Sequence, residues 1–219
     1  MAAEPVNMEK KEKNFCISME NSGDGLSKDE MESCVCRLLE TLGISWQMMH
    51  HAPVRTSADC TEIERELHTS GCKNLFLRGS SGNAWYLVLL PPEEKADLRA
   101  LAIQLGEKRL SFAGEEDVKN ILHTEPGAVS ILCLCFETAE QVRVLIHRKI
   151  LEKETIGCHP CINTASLKLS VRDLTEKFLE PAPVQISDAM FIEYRRRPDA
   201  VEPGLYISCT DPMKGMNTQ

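Results

Sequence analysis

Met31, Val35, Leu38, Leu39 and Leu42 recur at helical spacing behind the capping box Ser27-Lys28-Asp29-Glu30, so the pattern predicts a first helix that Gly43 ends. Ile44 to Met49 predicts a short strand and His50-His51-Ala52-Pro53 a loop. Ser57 to Leu67 predicts a second helix with Ile63 and Leu67 facing inward. Two strand-like runs, Lys73 to Arg78 and Ala84 to Leu90, flank Gly79-Ser80-Ser81-Gly82-Asn83 and predict an antiparallel hairpin. Pro91-Pro92 breaks the second run. Leu98, Leu101, Ala102 and Leu105 then mark an amphipathic helix closed by Gly106. Arg109 to Phe112 predicts a short strand, and Glu115 to Leu122 a helix whose acidic first turn suits the helix dipole.

Beyond the turn Glu125-Pro126-Gly127, strands are predicted over Val129 to Phe136, Val142 to His147, Glu154 to Cys158 and Ala165 to Leu169. Ser170 caps a helix expected to run to about Leu179. Pro181 and Pro183 end it, and Val184 to Ile186 predicts an edge strand. From about Met190 no periodicity is sustained. Strands in antiparallel-compatible clusters, interrupted by helices without regular alternation, point to the α+β class. The expected architecture is a curved, barrel-like, mostly antiparallel sheet with helices outside it. Three regions follow: a disordered extension over 1–25, one folded domain over 26–188, and a flexible tail over 189–219.

Composition narrows the function. A hydrophobic content of 42% and a charged content of 26% in 219 residues are ordinary for a soluble globular domain. The longest apolar runs, such as Trp85 to Leu90, fall far short of a membrane span, so no membrane partner is expected. The first two dozen residues mix Glu4, Glu9, Glu12 and Glu20 with Lys10, Lys11 and Lys13, unlike a secretory or mitochondrial leader, and the expected location is cytoplasmic. A net charge of −8 argues against broad, non-specific nucleic-acid binding but permits a local basic patch. The ten cysteines are expected to be reduced, because several lie in apolar surroundings such as Ile131 to Phe136.

Two polar islands carry the candidate chemistry. In Lys73-Asn74-Leu75-Phe76-Leu77, alternation places Lys73 on the face of Leu75 and Leu77, and Asn74 on the opposite face with Phe76. The segment alone favours a lysine at a strand start whose ammonium snorkels to water. The second island, Gly157-Cys158-His159-Pro160, closes a strand. Glycine there allows close backbone approach and proline fixes the exit, so the His159 imidazole is held in a defined place. A zinc site drawn from Cys158, His159, Cys161, Cys133 and Cys135 is disfavoured by ligand spacing, and no metal or other cofactor is expected. The sequence contains no GxSxG, GxxxxGK[ST] or HExxH motif, which removes the usual support for hydrolase-elbow, nucleotide-phosphatase and metalloprotease chemistry. The residues by themselves lead to a rigid pocket with Lys, Asn and His.

Five motifs in order then resemble one family: His51-Ala52-Pro53-Val54, Cys72-Lys73-Asn74-Leu75-Phe76-Leu77, Arg109-Leu110-Ser111-Phe112, Pro126-Gly127-Ala128-Val129-Ser130, and Gly157-Cys158-His159-Pro160 with Asn163-Thr164-Ala165. The stretch from about His51 to Ile186 resembles the YbaK/ProX superfamily of aminoacyl-tRNA deacylases, freestanding relatives of the editing domain of bacterial prolyl-tRNA synthetases. Within it the Lys-Asn-Leu-Phe-Leu form and the His-Pro motif with a nearby Asn most resemble the prolyl-tRNA synthetase associated domain proteins of the ProXp-ala type. Cys158 and Cys161 depart from the family pattern.

The resemblance implies a trans-editing deacylase acting on mischarged tRNA, above all Ala-tRNA(Pro), through the acceptor end of the aminoacylated tRNA. It implies prolyl-tRNA synthetase or a multi-synthetase assembly as partner. By the same resemblance, Lys73, Asn74 and His159 form the catalytic group. Lys73 would bind the ester and terminal adenosine, Asn74 the aminoacyl group, and Gly157, Asn163, Gly127 and Ser130 would complete the substrate site. Attack would use the tRNA's own ribose hydroxyl, which relieves the protein of supplying a nucleophile. The alternative is a non-catalytic tRNA- or synthetase-binding module of the same fold.

Overall fold

The computed structural model describes residues 26–54, 57–181 and 191–196. The extension over 1–25 and the expected edge strand Val184 to Ile186 lie outside the described residues, as does most of the expected tail. Helix α1 (Lys28–Thr41) starts at the predicted box: the Ser27 hydroxyl accepts from the Glu30 amide, and the Glu30 carboxylate accepts from the Ser27 amide at 2.9 Å. It buries Met31, Cys34, Val35, Leu38 and Leu39, and the chain leaves it through Gly43 at φ 60°. Then come β1 (Trp46–His50), α2 (Ser57–Glu66), the hairpin β2 (Lys73–Gly79) and β3 (Trp85–Leu90), α3 (Leu98–Leu105), β4 (Leu110–Phe112) and α4 (Glu115–Leu122).

The second half contributes β5 (Val142–His147), α5 (Arg148–Leu151), β6 (Thr155–Cys158), β7 (Ala165–Ser170), α6 (Val171–Asp173), β8 (Leu179–Pro181) and β9 (Phe191–Arg196). Six strands form one sheet in the order β4-β2-β3-β5-β9-β8. Every pairing in it is antiparallel except β3 with β5. A second, three-stranded antiparallel sheet has the order β1-β7-β6. The α+β class and the predominance of antiparallel pairing agree with the sequence.

Alternation along the larger sheet divides the core in two. Phe76, Leu87, Leu89, Val144 and Ile146 pack with α1, α4 and the smaller sheet. Leu77, Tyr86, Val88, Leu90 and Leu145 face the other way, against Leu101 and Ala102 of α3 and against Phe191. At about 25 cal/mol per Å² of apolar surface, burial on both faces is the main force holding this sheet.

Two stretches depart from the pattern-based expectation, and a third keeps its expected extent in altered form. Val129 to Phe136 is not a strand: Ile131–Cys135 winds into a 3₁₀ turn capped by the Ser130 hydroxyl, which accepts from Leu132 N–H at 3.2 Å. All five of its residues are fully buried, and a uniformly apolar run carries no period to separate strand from helix. The helix after Ser170 makes one α-turn, widens into a π-helical turn over Leu174–Phe178, and yields to β8 at Leu179. Finally, Phe191–Arg196, in the stretch expected to be tail, is strand β9 between β5 and β8. Arg143 clamps it through a two-pronged ion pair to Glu193, both N–O distances being 2.7 Å.

Candidate active site

The two sheets meet where the polar islands lie. Gly71, just before β2, forms a parallel bridge with Gly157 of β6, and the Gly157 amide donates to the Ser70 carbonyl at 2.9 Å. The chains run so close that a Cβ on Gly157 would stand 3.1 Å from the Thr69 methyl and 3.7 Å from the Gly71 Cα. Beside this junction is a cavity of about 70 Å³. One wall is the inner stripe of α2, with Cys60, Ile63 and Glu64, continued by Leu67 just past its end. The facing wall includes Asn74, Gly157, Cys158, His159 and Ser166.

The structure therefore brings Asn74, Gly157 and His159 together. Lys73 stands apart. As alternation requires, its side chain leaves β2 on the face opposite Asn74, where its ammonium donates to the Glu94 carbonyl at 3.1 Å. Ser130 does not line the cavity either. It is fully buried, and its hydroxyl donates to the His159 carbonyl at 2.6 Å, so it positions the loop that carries His159. Asn163 acts through its backbone, whose carbonyl accepts from Val54 N–H at 3.2 Å. Gly127 sits exposed in a 3₁₀ turn over Pro126–Ala128, with open space where a Cβ would project.

The histidine geometry defines a tautomer. His159 Nδ1 lies 2.8 Å from the Ala165 carbonyl, which can only accept, so Nδ1 carries the proton. Nε2 is then the basic atom, and it has no hydrogen-bond partner among the described residues. Burial holds the imidazole below its ordinary pKa, and neighbouring His51 adds to the effect, so the ring is neutral at neutral pH. His51 is ordered in the same way: its Nδ1 donates to the Ala52 carbonyl at 2.8 Å, and its Nε2 accepts from the Ser166 hydroxyl at 2.9 Å. The two rings are 5.9 Å apart. His51, Ser166 and His159 thus form one polar string along the floor of the site.

Two thiols at the cavity, Cys72 and Cys158, are poor nucleophiles. Burial pushes Cys72 up to about 12 and Cys158 well above the ordinary thiol range, so both stay protonated. The eight described cysteines are all free thiols. No group of three or more His, Cys, Asp or Glu side chains is placed to hold a metal among the described residues. Nor is any described helix long and apolar enough to cross a membrane.

The sequence reading missed the α2 wall as part of the site. Cys60, Ile63, Glu64 and Leu67 follow the i, i+3, i+4, i+7 spacing of one helix face. The available signal was Glu64, a carboxylate set into an otherwise apolar stripe.

Comparison with known proteins gives this geometry a family. The aminoacyl-tRNA editing domain matches residues 51–177, more than half the chain. The prolyl-tRNA editing protein ProX of Acetoanaerobium sticklandii is 31% identical over 145 residues, 66% of this chain and 88% of that protein. Prolyl-tRNA synthetase associated domain-containing protein 1 of Bos taurus is 27% identical over 148 residues, 66% of this chain and 86% of its own length. The crystal structure of a candidate trans-editing enzyme for prolyl tRNA synthetase shares the fold, with a TM-score of 0.55 at 19% identity, covering 68% of this chain and 91% of the other. The matched span contains the whole Asn74, Gly157 and His159 wall, and the chain belongs to the aminoacyl-tRNA editing domain family.

Proposed function

We propose that the protein is a trans-editing deacylase whose substrate is Ala-tRNA(Pro). Water cleaves the ester between the alanyl carbonyl and the terminal ribose, releasing alanine and a tRNA with a free hydroxyl. The observation that carries this reading is the convergence of Asn74, Gly157 and His159 on one cavity of about 70 Å³. Such a space is small beside the roughly 300–1,000 Å³ pockets that take drug-sized ligands. It suits a methyl side chain and rejects bulkier ones by steric conflict, whereas merely better filling is worth only about 1–3 kcal/mol per methylene.

An aminoacyl ester is already activated, so positioning and charge stabilisation suffice for acceleration. The Asn74 amide is the side-chain donor for the ester carbonyl as negative charge develops. Neutral His159 presents Nε2 as an acceptor for the water or for the ribose hydroxyl that carries it. Lys73, outside the cavity and bound by one neutral carbonyl, keeps donor capacity for a phosphate of the RNA 3′ strand. Ser130 holds the His159 loop in place. A cytoplasmic site of action and association with prolyl-tRNA synthetase belong to the same reading; the names of the relatives support the association.

A panel of alanyl, seryl, threonyl, cysteinyl and prolyl esters on proline tRNA tests the proposal. The alanyl ester is expected to be cleaved fastest and the prolyl ester spared. Absence of cleavage above background for all five would leave a binding module of the same fold as the correct reading.

A further inference from the structure

Adjoining the cavity is a larger groove of about 540 Å³, lined by Glu64, Arg65, His68 and Thr69 on one side and by Lys153 to Thr155 on the other. Glu64 and Thr69 line both spaces and so mark the boundary between them. The Glu64 carboxylate is pressed against the backbone at Gly71: a Cβ built there would fall within its atoms, so glycine at 71 is what allows the carboxylate its place. This same glycine makes the bridge to Gly157.

Glu64 is half-buried next to Ile63 and Leu67, which are buried. Among the described residues its carboxylate has neither an ion pair nor a hydrogen bond, although Arg65 and Lys153 line the same groove. Arg65 instead pairs with Glu62. A half-exposed carboxylate on a partly apolar wall, with no cation of the fold engaged, is free to take a cationic ligand. Its helix position, i+4 from Cys60 and i+1 from Ile63, sets it on the stripe of α2 that lines the cavity.

We propose that Glu64 receives the α-ammonium of the aminoacyl ester and so selects for a free amino acid on the RNA. The inference rests on the deacylase reading above. With the alanyl methyl in the small cavity and the ribose in the open groove, the α-carbon lies at the boundary the two spaces share. That is where Glu64 stands. The α-amino group of an amino acid derivative titrates near roughly 8 and is largely cationic at neutral pH, which makes a carboxylate its complementary partner. Glu64 is a binding and positioning residue that holds the ester carbonyl toward Asn74. It takes no proton in the reaction.

The test compares two esters of the same proline tRNA, alanyl and lactyl, in the full-length protein and in Glu64→Gln. The lactyl ester replaces the ammonium by a hydroxyl at nearly equal size. Glu64→Gln is expected to lower kcat/KM for the alanyl ester about tenfold to a hundredfold, the span of one charge-assisted hydrogen bond, and to change the lactyl ester less than about threefold. Gly71→Ala, which displaces the carboxylate, is expected to show the same selective loss. An equal fall for both esters would make Glu64 merely structural and overturn the proposal, as would no fall for either. Should the wild type cleave neither ester, the deacylase reading fails first. Calorimetric binding of the amide-linked alanyl and lactyl adenosine analogues then decides Glu64 separately: at least tenfold tighter binding of the alanyl form, lost in Glu64→Gln, supports it, and equal binding in the wild type refutes it.

Discussion

The Ser130 hydroxyl donates to the His159 carbonyl at 2.6 Å from a fully buried position, joining the turn after Gly127 to the loop that closes the cavity. Ser130→Ala leaves that carbonyl and the Leu132 amide short of a partner in a dry environment. A loss of about 1–3 kcal/mol in unfolding free energy is expected, together with a lower kcat as the His159 loop loosens. Denaturant titration and single-turnover deacylation would measure both. An unchanged kcat in a destabilised protein would separate the bond from the chemistry.

Neutral His159 predicts a pH profile. Burial lowers its pKa in the fold below the unfolded value near about 6.5. The unfolded chain therefore binds more protons, and stability present above about 6.5 is lost as pH falls through the folded pKa. Activity should run flat around neutrality and decline on the acid side below the ordinary imidazole range. The titratable groups beside the ring or sharing its cavity are His51, Cys60, Glu64, Cys72 and Cys158. His159→Asn should be slow at every pH and should lack that acid limb. An unaltered profile in the variant would assign the limb to another group.

Asn74 and Lys73 should separate kinetically because they occupy opposite faces of β2. Asn74→Ala, inside the cavity, is expected to lower kcat on the order of a hundredfold, as removal of an oxyanion donor does.

Lys73→Ala, outside it, is expected to raise KM for the RNA ester about tenfold or more, with the penalty shrinking at high salt as phosphate contacts are screened. Steady-state kinetics at two ionic strengths would show the division. A loss confined to kcat would place Lys73 in the chemical step instead.

Strand β9 should be required for folding. Glu193→Ala leaves the Arg143 guanidinium without its two-pronged partner, and about 1–2 kcal/mol of destabilisation is expected. The effect is moderated because the Arg143 side chain is 40% exposed to screening solvent. Removing the chain from Phe191 onward should do more. It uncovers Leu145, strips β5 of its neighbour and leaves β8 unpaired, so cooperative unfolding by circular dichroism should be lost or shifted strongly downward.

Much of the fold was legible where local contacts decide it. The Ser27–Glu30 box, Gly43, the hairpin around Gly79 to Asn83 and the stripe of Leu98, Leu101, Ala102 and Leu105 all appear where their patterns placed them. The 3₁₀ turn at Ile131–Cys135 was not legible, because complete burial on every side erases periodicity. Neither was β9, whose short run of Phe191 to Arg196 reads as a strand only once β5 and β8 flank it. At the site, alternation already separated Lys73 from Asn74. The residues themselves and the family resemblance both grouped Lys73 and Asn74 with His159, whereas of the two only Asn74 lines the cavity beside His159.

The sequence by itself determined helix ends, turn positions, face assignments along β2 and membership of an editing-domain family, since caps, glycine conformations and side-chain periods act within a few residues. Only the tertiary structure decided that Gly71 and Gly157 meet, that α2 supplies the far wall, and that Glu64 stands at the boundary of cavity and groove. Those contacts join segments distant along the chain. Their pairing is settled by burial and backbone hydrogen bonding across the whole domain, which no local pattern encodes.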